Sequence, residues 1–305
     1  MTVLVPDHLD AALSALADDP ALTVLAGGTD LMVELNYGQR RPDGVLSLRR
    51  LAALRGWSLA TGDDGDVDGD GDGDGAIVLG AATTYTTLLG PDLATRLPAL
   101  AQAARTVGSP QIRNTGTIGG NLGTASPAGD TLPVLVAHRA TVELASSAGR
   151  RTMPVADFLT GPKRTALDPG ELIVGVGVPV VAGPAEFLKI GVRNAMVIAV
   201  ANCALVVDTA GRTVRCALGS VGPVPMRDPE AEAWIADRLD WDGGTACDPD
   251  LAAEFGARMA AASRPIDDHR ATADYRRHAV AVLARRALMR AWPGGPAHAS
   301  GTEAA

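Results

Sequence analysis

The sequence is poor in residues that would cross-link a fold or hold a metal cluster. Its 305 residues include three cysteines, Cys203, Cys216 and Cys247, with no CxxC pair. Three thiols are too few for an iron–sulfur cluster with four cysteine ligands, so they are interpreted as thiols of a reducing compartment. The five histidines, at positions 8, 138, 269, 278 and 298, lack the spacing of a metal site or a hydrolase triad. No metal centre is therefore expected on this chain.

Long apolar runs are also missing. No stretch approaches the ~18 apolar residues that a membrane span requires, and the N-terminal MTVLVPDHLD lacks the cationic and apolar regions of a signal peptide. We therefore expect a cytoplasmic protein that has no membrane partner. The hydrophobic content of 47% is enough for a full core, and the length suggests two domains.

Clustered positive charge is missing as well. The formal charge is −8, but seven aspartates lie in GDDGDVDGDGDGDG at 62–75, and the charges outside this segment nearly cancel. Without a basic surface, nucleic acid is not expected as a partner. The segment begins like a calcium-binding EF-hand loop at Asp66, but Ile77 stands where the closing acid is required. It is interpreted as a flexible insert between strands at 57–60 and 76–80.

Hydrophobic periodicity predicts that the pattern of secondary structure changes near residue 170. The first part reads as mixed helices and strands, with helices near 7–18, 30–37, 84–105 and 131–137 and strands at 22–25, 57–60, 76–80 and 140–146. The second part reads as strands (LIVGVGV, EFLKI, VIAVANCALVV and TVRCALGSV) followed by helices near 228–239, 248–262 and 272–292. These patterns predict domains at 1–170 and 171–292 and a disordered tail at 293–305.

Common catalytic and nucleotide-binding motifs are absent. GVGVPV at 175–180 begins like a dinucleotide fingerprint, but Val180 occupies the place of the third glycine. No Walker lysine follows a glycine run, and there is no GxSxG motif.

Two loops with paired glycines remain, LAGGTDLM at 25–32 and GTIGGNLGTASPAGD at 116–130. In the first, Gly27 and Gly28 let backbone approach a ligand because they lack Cβ, and Thr29 is expected to cap the next helix. Consecutive N–H groups at such a turn suit a pyrophosphate. In the second, Gly119 and Gly120 are expected to give the same access. Its polar contacts are expected from Thr117, Asn121, Ser126 and Asp130.

At these loops the chain resembles the FAD-binding medium subunit of molybdenum hydroxylases, the family of xanthine dehydrogenase and carbon monoxide dehydrogenase. The resemblance rests on LAGGTDLM and QIRNTGTIGGNLGTASPAGD and extends over about residues 5–290. It implies an α+β fold, with a two-subdomain FAD-binding domain of the vanillyl-alcohol oxidase and p-cresol methylhydroxylase type. A smaller α/β C-terminal domain would follow.

The resemblance also implies which residues bind the flavin. They are Leu25, Ala26, Gly27, Gly28, Thr29, Asp30 and Leu31 around the pyrophosphate, Thr117, Ile118, Gly119, Gly120, Asn121, Ser126 and Asp130 in the second loop, and Val107, Gly108, Ile173 and Lys189 beside the ring. An ammonium group at Lys189 would stabilise the negative charge of the reduced ring. The alternative is a solvent-exposed lysine at a strand end.

The family implies a flavin-dependent oxidoreductase that works in electron transfer. It would receive electrons from an iron–sulfur small subunit, whose partner is a molybdopterin-binding large subunit, and pass them to NAD+, oxygen or another acceptor. Neither glycine loop contains His or Cys, so FAD is expected to be bound non-covalently. The alternatives are a self-sufficient flavin oxidoreductase of the same fold and a scaffold subunit without flavin.

Overall fold

The computed structural model describes residues 1–60, 75–243 and 245–292. The predicted insert at 62–75, except Gly75, and the predicted tail at 293–305 lie outside the described residues. The strands are β1 (Thr2–Leu4), β2 (Thr23–Leu25), β3 (Gly44–Ser47), β4 (Trp57–Ala60), β5 (Ala76–Gly80), β6 (Thr141–Ser146), β7 (Gly149–Pro154), β8 (Leu159–Gly161), β9 (Arg164–Thr165), β10 (Leu172–Pro179), β11 (Ala185–Ile190), β12 (Ala201–Asp208), β13 (Thr213–Gly219) and β14 (Met226–Arg227). The α-helices are α1 (Leu9–Asp18), α2 (Leu31–Asn36), α3 (Tyr85–Leu88), α4 (Pro91–Arg96), α5 (Pro98–Thr106), α6 (Pro110–Thr115), α7 (Ile118–Thr124), α8 (Thr131–Ala137), α9 (Val155–Phe158), α10 (Pro229–Ala236), α11 (Pro249–Ala262) and α12 (Ala273–Ala291).

The chain begins with a small parallel sheet in the order β1-β3-β2. Helix α1 follows β1 and buries Ala12, Leu13 and Leu16. Their three- and four-residue spacing places them on one helix face. The first glycine loop lies between β2 and α2, where a strand ends and a helix begins.

A five-stranded antiparallel sheet in the order β4-β5-β10-β6-β7 forms the centre of the N-terminal part. Its middle strand is β10, Leu172–Pro179, which pairs with both β5 and β6. The domain boundary predicted near residue 170 therefore precedes the central strand of this sheet. The change of texture in the sequence marks the start of this buried strand, and the sheet continues to Pro179.

The helical region predicted at 84–105 consists of three helices, α3, α4 and α5. Pro91 and Pro98 occupy the first helical positions of α4 and α5. Proline has no N–H for a helical hydrogen bond, so each begins a new helix and interrupts the preceding one. The apolar side chains of helices α3, α4 and α5 pack with those of α7 and α8 in the main core.

The C-terminal part is the four-stranded antiparallel sheet β11-β12-β13-β14 with helices α10–α12. Along β12, Cys203 and Leu205 face a core with α10–α12, whereas Ala204 and Val206 belong to the main core of the N-terminal part. A strand buried on both faces reads as a continuous apolar run. The predicted strand VIAVANCALVV begins four residues later than expected, at Ala201. No helix in the described ranges is long and apolar enough to cross a membrane.

Candidate functional site

A cavity of about 1000 Å³ lies between the two glycine loops and the C-terminal sheet. A volume of this size is at the upper end of the range for small-molecule and cofactor sites. It is lined by sixteen of the eighteen site residues expected from the sequence: Ala26, Gly27, Gly28, Thr29, Asp30, Leu31, Val107, Gly108, Thr117, Gly119, Gly120, Asn121, Ser126, Asp130, Ile173 and Lys189. Segments far apart in the chain thus converge on one cavity.

Leu25 and Ile118 are the two expected residues that do not line this cavity. Ile118 is fully buried in the main core, on the side of α7 away from the cavity. Leu25 ends β2, and its side chain lies under Gly28, where an added Cβ would come within 3.2 Å of Leu25 Cδ1. Both residues pack within the protein beneath the loops.

The first glycine loop presents a row of backbone donors. The amides of residues 28–31 donate to no acceptor among the described residues. Gly28 has a φ of +75°, which glycine adopts without strain. The predicted cap by Thr29 is wrong, because α2 has Asp30 at its N-cap position and no side-chain capping hydrogen bond. The four free N–H groups suit an anionic group.

Gly27 also has a structural role. A Cβ on Gly27 would lie 1.8 Å from the carbonyl oxygen of Thr115, so only glycine lets the first loop approach the chain before the second. Gly119 is similarly tight, because its Cβ would lie 2.7 Å from Ala81 Cβ. These two glycines allow segments of the protein itself to pack closely.

The second glycine loop is held in place by a helix cap. Thr117 is the N-cap of α7, and its Oγ1 accepts a hydrogen bond from the Gly120 amide at 3.0 Å. Asn121 Oδ1 accepts a hydrogen bond from the Thr131 hydroxyl at 2.5 Å. The Ser126 hydroxyl accepts one from the Ala128 amide at 3.3 Å. The expected polar side chains therefore also organise the loop itself.

Asp130 and Lys189 form a buried ion pair at the inner end of the cavity. Lys189 Nζ lies 2.5 Å from Asp130 Oδ2, and the two side chains are 8% and 5% exposed. The interpretation of Lys189 as a solvent-exposed lysine is therefore wrong. The Thr106 hydroxyl donates to Oδ2 at 2.9 Å, and Asn202 Nδ2 donates to Oδ1 at 3.1 Å. Burial raises the pKa of the Asp130 carboxyl, against the opposing effects of the Lys189 ammonium and the three hydrogen bonds.

Arg113 fixes the turn that carries Val107 and Gly108. Its Nη1 donates to the carbonyl oxygens of Val107 and Gly108, both at 3.0 Å, and of Arg105 at 3.3 Å. Gly108 adopts a φ of +44°, so the turn favours glycine there. Arg113 lies in the QIRNTG segment, but the sequence did not predict a role for its side chain. Hydrogen bonds from one guanidinium group to several backbone carbonyl oxygens leave no periodic pattern in the sequence, so they could not be predicted from it.

A second ion pair closes the outer end of the cavity. Lys163 Nζ, in the turn between β8 and β9, lies 2.7 Å from Glu34 Oε1 on α2. The pair raises the pKa of Lys163 and lowers that of Glu34. Sequence reasoning missed this pair, because its partners are 129 residues apart and neither lies in a motif.

The described lining suits an elongated organic ligand and offers little to a metal ion. Within the described ranges, no group of three His, Cys, Asp or Glu side chains is arranged to hold a metal ion. Neither His nor Cys is among the described residues that line the cavity. The free amides would meet a negative charge, and apolar residues such as Ile173 and Val107 line the same cavity as the buried ion pair.

Comparison with known proteins gives two family matches that together cover most of the chain. Residues 1–181 match the FAD binding domain in molybdopterin dehydrogenase, and residues 186–291 match the CO dehydrogenase flavoprotein C-terminal domain. The glyceraldehyde dehydrogenase medium chain of Sulfolobus acidocaldarius is 32% identical over 92% of this chain and 95% of its own length. The carbon monoxide dehydrogenase medium chain of Hydrogenophaga pseudoflava is 31% identical over 92% of each chain.

Solved structures give the same match. Carbon monoxide dehydrogenase from Hydrogenophaga pseudoflava superposes with a TM-score of 0.82 at 29% identity, over 96% of this chain and 97% of the other. Quinoline 2-oxidoreductase from Pseudomonas putida 86 superposes with a TM-score of 0.82 at 25% identity, over 95% of this chain and 96% of the other.

Proposed function

The chain belongs to the family of FAD-binding medium subunits of molybdenum hydroxylases, and from this premise we propose that it is the electron-transfer flavoprotein of a three-subunit complex. It is a flavin-dependent oxidoreductase subunit whose cofactor is FAD. We propose that it accepts electrons from iron–sulfur clusters on a small subunit. These electrons would come from substrate oxidised on a molybdopterin-binding large subunit, and NAD+, oxygen or another acceptor would receive them.

The observation that carries the proposal is one cavity lined both by the free amides of the first loop and by the buried Asp130–Lys189 pair. FAD has a pyrophosphate in its middle and a flavin ring at one end, and the lining fits both. The amides of residues 28–31 would hold the pyrophosphate, which they suit because they donate to no described acceptor. When bound, FAD supplies a ring that stores two electrons.

The remaining lining residues have proposed positions around the flavin half. Gly120 and Asn121 would lie along the ribityl chain, and Val107, Gly108 and Ile173 would pack on the ring. The Asp130–Lys189 pair would lie at the pyrimidine edge. Lys189 is already neutralised by Asp130, so the two residues would act on the ring as a dipole.

We propose that FAD is bound non-covalently. Covalent flavin attachment in this kind of site needs a nucleophilic side chain. His and Cys are absent from the described lining, and burial raises the pKa of the Tyr85 phenol, which keeps it protonated and a poor nucleophile. Acid precipitation is expected to release all flavin into the supernatant. Flavin that stays with the denatured chain would contradict this.

Rapid mixing of the purified complex tests the electron-transfer role. The chain is expected to co-purify with two partner subunits, and substrate of the complex is expected to bleach the flavin absorbance. The FAD-loaded chain alone is the control and should show no bleaching with the same substrate. Bleaching of the isolated chain would favour a self-sufficient oxidoreductase, and a colourless complex would favour a scaffold.

A further inference from the structure

Tyr85 has a hydroxyl group that makes no hydrogen bond to the described residues and is accessible from the cavity. The residue lines the cavity and is 5% exposed. Its backbone N–H donates to Gly116 O at 3.2 Å, but its phenol makes no hydrogen bond to the described residues. A tyrosine combines an apolar ring with a polar tip, and a hydroxyl that reaches a cavity without a protein partner is available to a bound ligand. A polar group of this kind in a ligand cavity calls for a partner on the ligand.

The position of Tyr85 is fixed by the second glycine loop. The segment before it is joined to that loop by hydrogen bonds from the Ile118 amide to Thr83 O at 3.0 Å and from the Gly119 amide to Ala81 O at 2.9 Å. Its ring lies against Gly116, where an added Cβ would come within 2.8 Å of Tyr85 Cε2. The phenol is therefore held at a set place in the cavity wall.

The charges around Tyr85 determine which kind of partner it can take. Burial, and after it the negative charge of Asp130, raise the pKa of the Tyr85 phenol far above its ordinary value. The phenol therefore stays protonated over the physiological pH range and can donate one hydrogen bond. The contacts of its backbone and ring with Gly116 place Tyr85 beside the second glycine loop, which is proposed to contact the flavin half.

We infer that Tyr85 is a further flavin-contacting residue, whose phenol donates a hydrogen bond to an acceptor atom on the flavin half of FAD. Acceptors there are the ring carbonyl oxygens, the unprotonated ring nitrogens and the ribityl oxygens. The inference rests on the proposed placement of FAD, with the pyrophosphate at residues 28–31 and the flavin half toward Asp130. Tyr85 would position the flavin half, while the free amides of the first loop hold the pyrophosphate.

Replacing only the hydroxyl group tests this contact. Tyr85→Phe keeps the ring against Gly116, and Tyr37→Phe is the matched control because Tyr37 is 78% exposed and does not line the cavity. In the full chain freed of flavin, Tyr85→Phe is expected to melt at about the same temperature as the wild type, because the hydroxyl it removes makes no hydrogen bond to the described residues. In the FAD-loaded chain it is expected to melt lower.

Binding of FAD and of its halves locates the contact. Tyr85→Phe is expected to weaken FAD binding about 2- to 12-fold, the range of one hydrogen bond, and to weaken FMN binding equally. Binding of ADP, which carries the other half, should stay unchanged, as should all binding by Tyr37→Phe. Unchanged FAD affinity in Tyr85→Phe would overturn the inference, and so would an equal loss of ADP affinity or a lower melting temperature of the flavin-free chain. A wild-type chain that binds ADP and FAD equally tightly would instead overturn the proposed function.

Discussion

Replacing Lys189 by methionine removes the positive half of the buried ion pair and keeps the length of the side chain. Asp130 would then be a buried carboxylate with only the Thr106 and Asn202 donors. Breaking a buried pair by removing one partner typically costs about 3–5 kcal/mol, because the remaining charge is uncompensated. We expect Lys189→Met to lower the free energy of unfolding of the flavin-free chain at pH 7 by about this amount.

The pH dependence of Lys189→Met follows from the direction of the pKa shift. Burial already raises the pKa of Asp130, and loss of the ammonium raises it further. A carboxyl whose pKa is higher in the folded state than in the unfolded state binds protons more readily when folded. Stability from this group is therefore full below the unfolded pKa of about 3.9 and declines as pH rises toward the folded pKa. Lowering the pH from 7 should narrow the gap between Lys189→Met and the wild type.

Urea unfolding followed by tryptophan fluorescence measures both effects. The double variant Asp130→Asn with Lys189→Met removes both charges and is expected to be more stable at pH 7 than Lys189→Met alone. Arg212→Met, which breaks the exposed pair with Asp242, is the control and should cost less than about 1 kcal/mol. If Lys189→Met is as stable as the wild type at pH 7, Lys189 does not neutralise Asp130.

Three other changes test separate parts of the structure. Gly27→Ala should lower the free energy of unfolding by about 1–3 kcal/mol or more, because its Cβ would overlap Thr115 O. The control Gly161→Ala, whose Cβ would have its nearest contacts at 3.9 Å, should cost less. Equal urea midpoints for the two variants would contradict this. Replacing residues 63–74 by a short turn should leave FAD content and melting temperature unchanged. Ala60 pairs with Ala76, and the entropy of loop closure depends only weakly on loop length. A large loss of FAD would contradict this. Burial lowers the pKa of His138 to about 4, so the folded state resists protonation of this residue. The stability of the wild type should therefore fall as the pH drops from about 6.5 to 4. A His138→Gln variant whose free energy of unfolding falls equally steeply over this range would refute this.

The local patterns that predicted the fold were those with a periodic or steric cause. The alternation in TVELAS predicted β6, and the first glycine pair predicted the turn before α2. The second glycine pair was expected in a loop but lies in helix α7. Some element boundaries differ from the prediction for identifiable reasons. Pro91 and Pro98 divide an apolar helical pattern into separate helices, and the strand after residue 170 belongs to the preceding sheet. Strand pairing between distant segments has no local signal.

The chemistry of the site was predictable where it depends on residue type and not where it depends on distant contacts. The glycine loops could be recognised in sequence, but the tight approach of Gly27 to Thr115 could not. Lys189 was singled out with two opposite environments, and its pairing with Asp130, 59 residues away, decided between them. Tyr85 was not singled out, because one tyrosine at the start of a short helix looks like ordinary core.

The most direct test of the central claim is a fluorescence titration of the flavin-free chain with FAD, comparing the wild type with Gly120→Leu. Gly120 lies in α7 and lines the cavity, and a Cβ there would meet only Thr117 Oγ1 at 3.0 Å and Ala26 Cβ at 3.6 Å. Leucine favours a helix, so the flavin-free variant should melt near the wild type while its side chain fills the space between the glycine loops. We predict saturation at about one FAD per wild-type chain and loss of binding in Gly120→Leu, by steric exclusion. Equal FAD affinity in the two proteins would contradict the claim that FAD lies between these loops.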